Sequence, residues 1–358
     1  MLFAVIMAGG SGTRFWPWSR EKKPKHALNI HGKKSLLYET VRRVSSTIPV
    51  NNVFIVTTQT QTEITRNILP GIPEENIIAE PFGRDTAPCI GLAASIINQK
   101  CSDAVMAVMP ADHIIKPEDK FTSTLEIAYT MAKDSNSLIT LGIKPDNPSV
   151  HYGYIHRGDN KQVVNGIPVY DVSEFKEKPD KDTALKYLDT GEYYWNSGIF
   201  VWSTKTILAC IKQFMPELSS GLSRIQQSLN TPEMTNVIEE EYRQFEKISI
   251  DYGIMEKAKD VKVIGTDFSW DDVGTWKALE RLNEQDDAGN TVIAKHSGIN
   301  TNNCIIIGEN DHLITTANVS DLIIVQTKDA TLICNKNKDE DIKELVKKLK
   351  EQGFDQYL

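Results

Sequence analysis

The sequence is short of cysteine and of long apolar runs, and both shortages exclude classes of protein. Its five cysteines are scattered, and no two of them form a Cys-x-x-Cys pair. We therefore expect neither a disulfide framework nor a zinc site, and we expect the thiols to be reduced, as in cytoplasm. No apolar run approaches the length that crosses a membrane, and the apolar start lacks the basic residues of a signal peptide. These features predict a cytoplasmic protein with no membrane partner.

Positive charge is also in short supply. The chain has 40 Lys and Arg against 48 Asp and Glu, a formal net charge of −8, and no basic stripe. This balance argues against nucleic acid as a partner. It does not exclude phosphorylated small molecules, since these need only local positive charge. With 358 residues, of which 40% are hydrophobic, the chain is long enough for one large core and a small second domain.

Two known phosphate-binding patterns are missing from a glycine-rich turn near the N-terminus. No Gly-Lys-Ser/Thr follows the turn, so it is not a Walker A loop. Phe15 stands where the dinucleotide fingerprint needs its third glycine. The turn nevertheless follows an apolar run, 2–8, that predicts a buried parallel strand. Its residues are Gly9, Gly10, Ser11, Gly12 and Thr13.

This turn has the chemistry to bind phosphate. Glycines allow backbone N–H groups to close around an anion without a Cβ clash. Arg14 at the end of the turn, and Lys25 after Pro24, can add the positive charge that a triphosphate requires. A glycine turn after a strand is often only a turn, but the two cations favour a nucleotide site.

Short apolar runs alternate with helical patterns through the first 200 residues. This alternation predicts an α/β fold with a Rossmann-like, mostly parallel sheet and helices on both faces. Ligands bind such sheets beyond the carboxyl ends of the strands, where the glycine turn and residues 110–113 both fall. The expected strands are 2–8, 53–57, 104–109, 138–143 and 198–202, and the expected helices are 35–46, 60–68, 86–99 and 120–132.

The pattern changes after about residue 285. A turn at 286–290 is followed by short β-rich runs at roughly ten-residue spacing, which predict a small β domain resembling a few coils of a β-helix. A charged amphipathic helix is expected over 338–352. We therefore divide the chain into a catalytic domain, 1–285, and a C-terminal β domain that ends in a helix, 286–358. The apolar stripe of that helix could pack within the chain or across a two-fold axis, and we expect a homodimer in which this domain takes part.

The glycine turn belongs to a series of motifs that covers about residues 1–285. In their order along the chain, the series resembles the nucleotidyltransferases that make nucleoside-diphosphate sugars, and most of all the mannose-1-phosphate guanylyltransferases. The motifs are GGSGTRFWPWS from residue 9, EPFGRDTAP at 80–88, MPADH at 109–113, HYGYI at 151–155, FKEKP at 175–179, WNSGIF at 195–200, SIDYGIMEK at 249–257 and WDDVGTW at 270–276.

The resemblance implies a reaction and a cofactor. GMP would pass from GTP to α-D-mannose 1-phosphate, giving GDP-mannose and pyrophosphate, with Mg²⁺ as cofactor. Longer bifunctional relatives continue into an isomerase domain near the point where this chain stops, so we expect only the transferase half.

Two aspartates are the expected metal ligands. Asp112 follows the apolar run 104–109, and Asp272 lies in the WDDVGTW motif. Taken alone, each would be a turn or helix-cap residue. The resemblance implies that both hold Mg²⁺, which accepts one or two carboxylates beside phosphate oxygens. Asp271 is a weaker candidate, and His113 is expected to be structural.

The resemblance also assigns the substrate contacts. Arg14 and Lys25 would be catalytic, holding the triphosphate and the charge that develops on it. His26 departs from the commoner pattern, in which glutamine follows Pro-Lys. The other nucleotide-binding residues would be Gly9, Gly10, Ser11, Gly12, Thr13, Glu80, Gly83 and Arg84. The sugar phosphate would be bound by Gly153, Glu177, Lys178 and Asn196.

Two other functions remain open from the sequence. The same chemistry could act on another hexose 1-phosphate or another nucleoside triphosphate. A protein of a different class, a nucleotide-sugar sensor without catalysis, could keep the fold, but it would be expected to lose Arg14, Lys25, Asp112 or Asp272. An NAD-dependent oxidoreductase is disfavoured by the missing third glycine.

Overall fold

The computed structural model describes residues 1–10, 12–309 and 311–358. Strands and helices alternate through its larger part. Its strands are β1 (Leu2–Ala8), β2 (Val53–Thr58), β3 (Ile77–Glu80), β4 (Val105–Pro110), β5 (Ile114–Lys116), β6 (Leu138–Ile143), β7 (Tyr154–Val164), β8 (Ile167–Lys176), β9 (Tyr193–Ser203), β10 (Val261–Thr266) and β11 (Ser269–Asp271). Its helices are α1 (Leu36–Val44), α2 (Thr62–Ile68), α3 (Thr86–Lys100), α4 (Glu118–Asp134), α5 (Lys181–Thr190), α6 (Thr204–Phe214), α7 (Pro216–Ser228), α8 (Met234–Gln244) and α9 (Ala278–Leu282).

One nine-stranded sheet organises these elements. Its strand order is β3-β2-β1-β4-β9-β6-β10-β8-β7. Strands β1 to β4 pair in parallel, and β6 pairs in parallel with β10. Strand β9 runs antiparallel between β4 and β6, and the β7–β8 hairpin adds further antiparallel pairs. The expected α/β fold is therefore confirmed, with a mixed sheet whose first half is parallel.

The apolar composition of the central strands is explained by their burial on both faces of the sheet. Side chains of a strand alternate between faces. In β1, Phe3 and Val5 pack into the cluster that contains α3, α6 and α7, whereas Ala4 and Ile6 pack into the cluster on the opposite face with α1 and α4. A central strand covered on both sides can therefore be apolar at nearly every position.

A small pairing brings two distant segments to the carboxyl rim of the sheet. Strand β5 lies just after Asp112, and β11 lies just before Asp272. The two strands pair antiparallel, with Asp271 opposite Ile114. Segments that are far apart in the sequence thus meet at the end of β4.

The C-terminal part forms coils of a parallel β-helix. Its elements are β12 (Thr291–Ile293), β13 (Lys295–Asn302), β14 (Ile305–Ile307), β15 (Leu313–Ser320), β16 (Leu322–Gln326), β17 (Thr331–Asn335) and α10 (Ile342–Glu351). One face has β12, β14 and β16 in parallel, closed by antiparallel β17, and the other face has β13 and β15 in parallel. Corner residues Asn300 and Asn318 have positive φ, and the Asn300 Nδ2 group donates to Asn318 Oδ1 at 2.8 Å.

The C-terminal helix packs inside the chain, against the segment that follows the glycine turn. Ile342 is 1% exposed and shares a core cluster with Phe15, Trp16 and Trp276. The indole N–H of Trp16 donates to the backbone oxygen of Tyr357 at 2.7 Å. The apolar stripe of α10 therefore covers the N-terminal segment of its own chain.

The sequence-based boundaries agree well where strands are apolar throughout. Strand β1 matches the expected 2–8, and β6 matches 138–143. Helix α10 begins at Ile342, because a short 3₁₀ segment occupies Lys336–Asp341. The division at 285/286 stays a prediction. Within the described ranges, none of the helices combines the length and apolarity needed to span a bilayer.

Candidate active site

The glycine turn is closed tightly over Lys25. Gly12 has a φ of 65°, in the left-handed region that favours glycine, and a Cβ there would lie 2.3 Å from the Cβ of Lys25. Thr13 then begins a 3₁₀ turn, and the Ser19 hydroxyl donates to the Gly12 carbonyl at 2.7 Å. Gly9 and Gly10 are among the described residues, whereas Ser11 lies outside them.

The ammonium group of Lys25 lies between the two predicted metal ligands. It contacts Asp112 Oδ2 at 2.5 Å and donates to the backbone oxygen of Asp272 at 2.7 Å. Lys25 is only 7% exposed. Burial raises the pKa of Asp112, but the charge of Lys25, together with the charge that His113 carries at acid pH, outweighs it, so the pKa of Asp112 lies below its usual value. Asp112 is therefore ionised at neutral pH.

The Asp272 side chain is held by an unusual backbone. Asp272 Oδ1 accepts hydrogen bonds from the Tyr152 hydroxyl at 3.0 Å and from the Gly274 N–H at 3.1 Å. Between Asp272 and Gly274 lies Val273, fully buried with a φ of 49°. A β-branched residue in this region stores strain of about 1–3 kcal/mol, which occurs mostly at functional sites. Asp271 differs, since its Oδ2 pairs with Arg281 Nε at 2.7 Å.

His113 serves the site as a neutral, buried side chain. The indole N–H of Trp270 donates to its Nδ1 at 3.1 Å, which leaves the proton on Nε2, 3.9 Å from Asp112 Oδ1. Burial lowers the pKa of His113. Burial also lowers the pKa of His26 to about 4. These rings therefore add no positive charge beside Lys25 at neutral pH.

Arg14 lines a cavity of about 600 Å³ that is shared by both parts of the chain. One of its Nη groups donates to the Gly274 carbonyl at 3.1 Å, while its Nε is buried without a hydrogen-bond partner among the described residues. Tyr152 and Asp272 line one wall of the cavity, and residues 337–341 of the C-terminal part line another. The cavity thus offers an unsatisfied guanidinium N–H and a carboxylate to a polar ligand.

Glu80 lies under the glycine turn, at the end of β3. A Cβ on Gly9 would be 3.3 Å from Glu80 Oε2, and the Tyr242 hydroxyl donates to Glu80 Oε1 at 3.1 Å. Burial raises the pKa of Glu80 to about 8. Gly83 is exposed. Arg84 donates through Nε to the Tyr242 carbonyl at 2.8 Å, so it shares Tyr242 as a neighbour with Glu80.

The four predicted sugar-phosphate residues lie together. A Cβ on Gly153 would come within 2.2 Å of Glu177 Oε2 and 3.4 Å of the Asn196 Cβ. Glu177 Oε1 pairs with Lys178 Nζ at 3.0 Å, whereas Oε2 is buried and has no partner among the described residues. An acceptor buried without a donor is costly unless a ligand supplies one. This cluster is therefore suited to a hydroxylated ligand.

Asp251 joins this cluster, although it is not among the site residues predicted from the sequence. The Asn196 Nδ2 group donates to Asp251 Oδ1 at 2.8 Å. Burial, and then the charge of Glu177, raises the pKa of Asp251 to about 6. Lys178 and Asp251 line the same cavity of about 420 Å³. The SIDYGIMEK motif was the available signal, but only the fold places its aspartate beside Asn196.

The chain is similar to known proteins over nearly its whole length. Residues 3–289 match the family model described as nucleotidyl transferase, and residues 294–349 match the one described as MannoseP isomerase/GMP-like beta-helix domain. A mannose-1-phosphate guanylyltransferase of Klebsiella pneumoniae is 36% identical over 360 residues, covering 100% of this chain and 76% of the relative. One of Escherichia coli is 37% identical, with the same coverage.

Solved structures are similar over the same range. A crystal structure named as a mannose-1-phosphate geranyltransferase from Thermus thermophilus has a TM-score of 0.85 and 32% identity, covering 98% of this chain and 99% of that one. A structure named as a mannose-6-phosphate isomerase from Helicobacter pylori has a TM-score of 0.61 at 23% identity, covering 75% of this chain and 99% of that one. The second likeness concerns the fold alone.

Glu80 gives the site a pH dependence that stability measurements can detect. Its folded-state pKa of about 8 lies above the ordinary value of 4.5, so the folded protein binds its proton more tightly than the unfolded chain does. This tighter proton binding stabilises the folded protein fully below pH 4.5, and the stabilisation is lost as the pH rises toward 8. We predict that Glu80→Gln removes this decline, so urea titrations at about pH 5.5 and about pH 8.5 should differ less for the variant than for the wild type. The exposed Glu75→Gln is the control, and an equal decline in all three proteins would contradict the prediction.

Proposed function

This chain belongs to the nucleotidyl transferase family and, within it, to the mannose-1-phosphate guanylyltransferases, and we propose that it makes GDP-mannose. GMP is transferred from GTP to α-D-mannose 1-phosphate, and pyrophosphate leaves. The observation that supports this reaction in the molecule itself is the position of Lys25 between Asp112 and Asp272, beneath the glycine turn. That arrangement concentrates charges of both signs where a triphosphate would bind.

In this reaction an oxygen of the sugar phosphate attacks the α-phosphorus of GTP. A P–O bond forms, and the bond between the α-phosphorus and the bridging oxygen to the β-phosphate breaks. The attacking oxygen is already anionic, so the step needs positioning and charge stabilisation more than a general base. We assign these tasks to Arg14 and Lys25. The glycine turn, with Thr13, supplies backbone donors.

We propose that Asp112 and Asp272 hold Mg²⁺. The donor set fits this ion, because Asp112 Oδ1 and Asp272 Oδ2 receive no hydrogen bond from the described residues, and both lie at the same rim. Magnesium favours such carboxylates together with phosphate oxygens and water. When bound, it would neutralise phosphate charge. Tyr152 and the strained Val273 would fix the orientation of Asp272.

We assign the base to Glu80 and the sugar to the cluster around Glu177. An ionised Glu80 would accept hydrogen bonds from the N1–H and exocyclic amine of guanine, with Gly83 and Arg84 nearby in the same motif. Glu177 and Asn196 would accept from and donate to sugar hydroxyls, and Lys178 would meet the sugar phosphate. Gly153 leaves the space for this contact, because any side chain there would collide with Glu177.

A cytoplasmic location is part of the proposal. All five cysteines are free thiols, and Cys89 and Cys304 are buried. Free thiols fit a reducing compartment.

The reaction can be tested with purified protein. Four nucleoside triphosphates are each combined with several hexose 1-phosphates in the presence of magnesium, and pyrophosphate release is measured. We predict release from the pair GTP and mannose 1-phosphate. Asp112→Asn and Asp272→Asn should lose turnover by at least about 10²-fold, since the amide keeps the shape but not the charge. The exposed Asp119→Asn is the control. Preference for another pair would identify the other transferase, and binding of a nucleotide sugar without turnover would identify a sensor.

The sugar assignment makes a separate prediction. Glu177→Gln should raise the KM for mannose 1-phosphate by about tenfold or more and leave the KM for GTP within about twofold, because the lost acceptor faces a sugar hydroxyl. Steady-state kinetics with each substrate varied would measure both. The control is Glu174→Gln, which changes an exposed residue on β8. Equal effects on both KM values would contradict the assignment.

We also propose a homodimer formed through the C-terminal β domain. The stripe on α10 is used within the chain, so the surface that remains is the apolar part of the β-helix, with Ile299 and Leu313 exposed on β13 and β15. Sedimentation velocity at tens of micromolar, where an interface of about −6 kcal/mol would form, should show a dimer. Ile299→Lys should shift it to monomer, and Lys328→Ala on a neighbouring loop is the control. A monomeric wild type would contradict the proposal.

A further inference from the structure

Lysines of the C-terminal helix face the glycine turn across a cavity of about 300 Å³. Thr13 and Ser19 line one side of this cavity, and Lys343, Lys347 and Lys350 line the other. These lysines are spaced so that they share one face of α10. None of the sequence motifs includes this helix, so its charges were not expected beside the turn.

Lys343 lies near the cations of the proposed active site. Burial, and then the charges of Arg14 and Lys178, lowers the pKa of Lys343, with only Glu340 among the named charges acting in the opposite direction. Three cations from three separate segments thus influence one another. Their mutual repulsion would favour an anion between them.

Arg14 and Lys343 are also available for an anion. Among the described residues neither forms an ion pair, whereas Lys25 is paired with Asp112, and Lys178 with Glu177. The buried Arg14 Nε likewise has no hydrogen-bond partner among the described residues. A buried donor of this kind is costly until a ligand accepts from it. Arg14 lines the cavity of about 600 Å³ and Lys343 the one of about 300 Å³, so each brings a positive charge that no acidic group among the described residues pairs.

The backbone of α10 is held in place, so Lys343 is on a fixed element. Ile342 beside it is buried in the cluster that contains Phe15 and Trp16. Arg20 pairs with Asp329 at 2.7 Å, which ties the segment after the turn to the C-terminal part a second time. The backbone that carries Lys343 is therefore fixed relative to Thr13 and Arg14, which helps to position a substrate-binding residue.

We propose that Lys343 binds the β- and γ-phosphates of the nucleoside triphosphate, and the pyrophosphate that leaves, so that the triphosphate site is completed by the C-terminal part of the chain. This inference rests on the proposed function. Lys25 acts beside Asp112, and Lys178 lies with the sugar cluster, so Lys343 would join Arg14 at the phosphates that leave. Lys343 would then stabilise the charge that pyrophosphate acquires as the P–O bond breaks.

Binding measurements on the full chain can test this proposal without turnover. GTP, pyrophosphate and GMP would each be titrated calorimetrically into the wild type, Lys343→Ala, Lys343→Arg and the control Lys348→Ala, which changes an exposed lysine outside the cavity. Lys343→Ala should weaken GTP and pyrophosphate about tenfold and leave GMP within about twofold. Lys343→Arg should recover most of the affinity, and Lys348→Ala should match the wild type.

The outcomes separate this inference from the reaction on which it rests. Unchanged GTP and pyrophosphate affinities in Lys343→Ala, with normal binding by the wild type, would overturn the role of Lys343 alone. Equal weakening of GTP and GMP would also overturn it, because GMP lacks the β- and γ-phosphates. A wild type that binds neither GTP nor any other nucleoside triphosphate would overturn the proposed function first. Thermal unfolding of each variant would show whether a loss of affinity reflects a loss of fold.

Discussion

The ammonium group of Lys25 is the contact on which the rest of the site depends. It holds the Asp112 carboxylate and the Asp272 backbone on either side of one positive charge. Burial alone would raise the pKa of Asp112, and the charge of Lys25 is the largest effect that lowers it. Gly12 is required at this place, since only a residue without Cβ leaves room for Lys25 beneath the turn. The buried cation thus accounts for the glycine and helps to keep the aspartate charged, next to the point where β5 pairs with β11.

Burial also sets the charge state of the groups that would recognise the two substrates. Glu80 and Asp251 are both carboxyls withdrawn from water, with pKa values of about 8 and about 6. A ligand that donates hydrogen bonds favours the charged form of a carboxyl. In the proposed function, binding of the base at Glu80 would therefore be accompanied by release of its proton, whereas Asp251, with the lower pKa, is already largely ionised at neutral pH. The cations Lys25 and Arg14 would attract the phosphates that both substrates carry.

The sequence predicted those features that are encoded locally. Strand β1 and the glycine turn follow from an apolar run that ends in glycines, and helix α3 begins at Thr86 as expected. The hydrogen bond from Tyr152 to Asp272 joins residues 120 positions apart, and no local sequence pattern predicts it. The antiparallel strands β7 and β8 were not predicted, because half-exposed strands lack the continuous apolar runs of buried parallel ones.

Residues 290–358 were the hardest to relate to the site from the sequence. Their short β runs contain none of the family motifs, so no sequence pattern indicated that this part of the chain contacts the segment of Arg14. In the structure, Trp276 ends the WDDVGTW motif and donates from its indole to the Arg14 carbonyl at 2.8 Å, while its own backbone N–H donates to Asp339. Arg14 is therefore held by a residue that is itself hydrogen-bonded to the C-terminal part. Since α10 also packs against Phe15 and Trp16, the C-terminal part supports the segment after the glycine turn, in addition to offering the surface proposed for assembly.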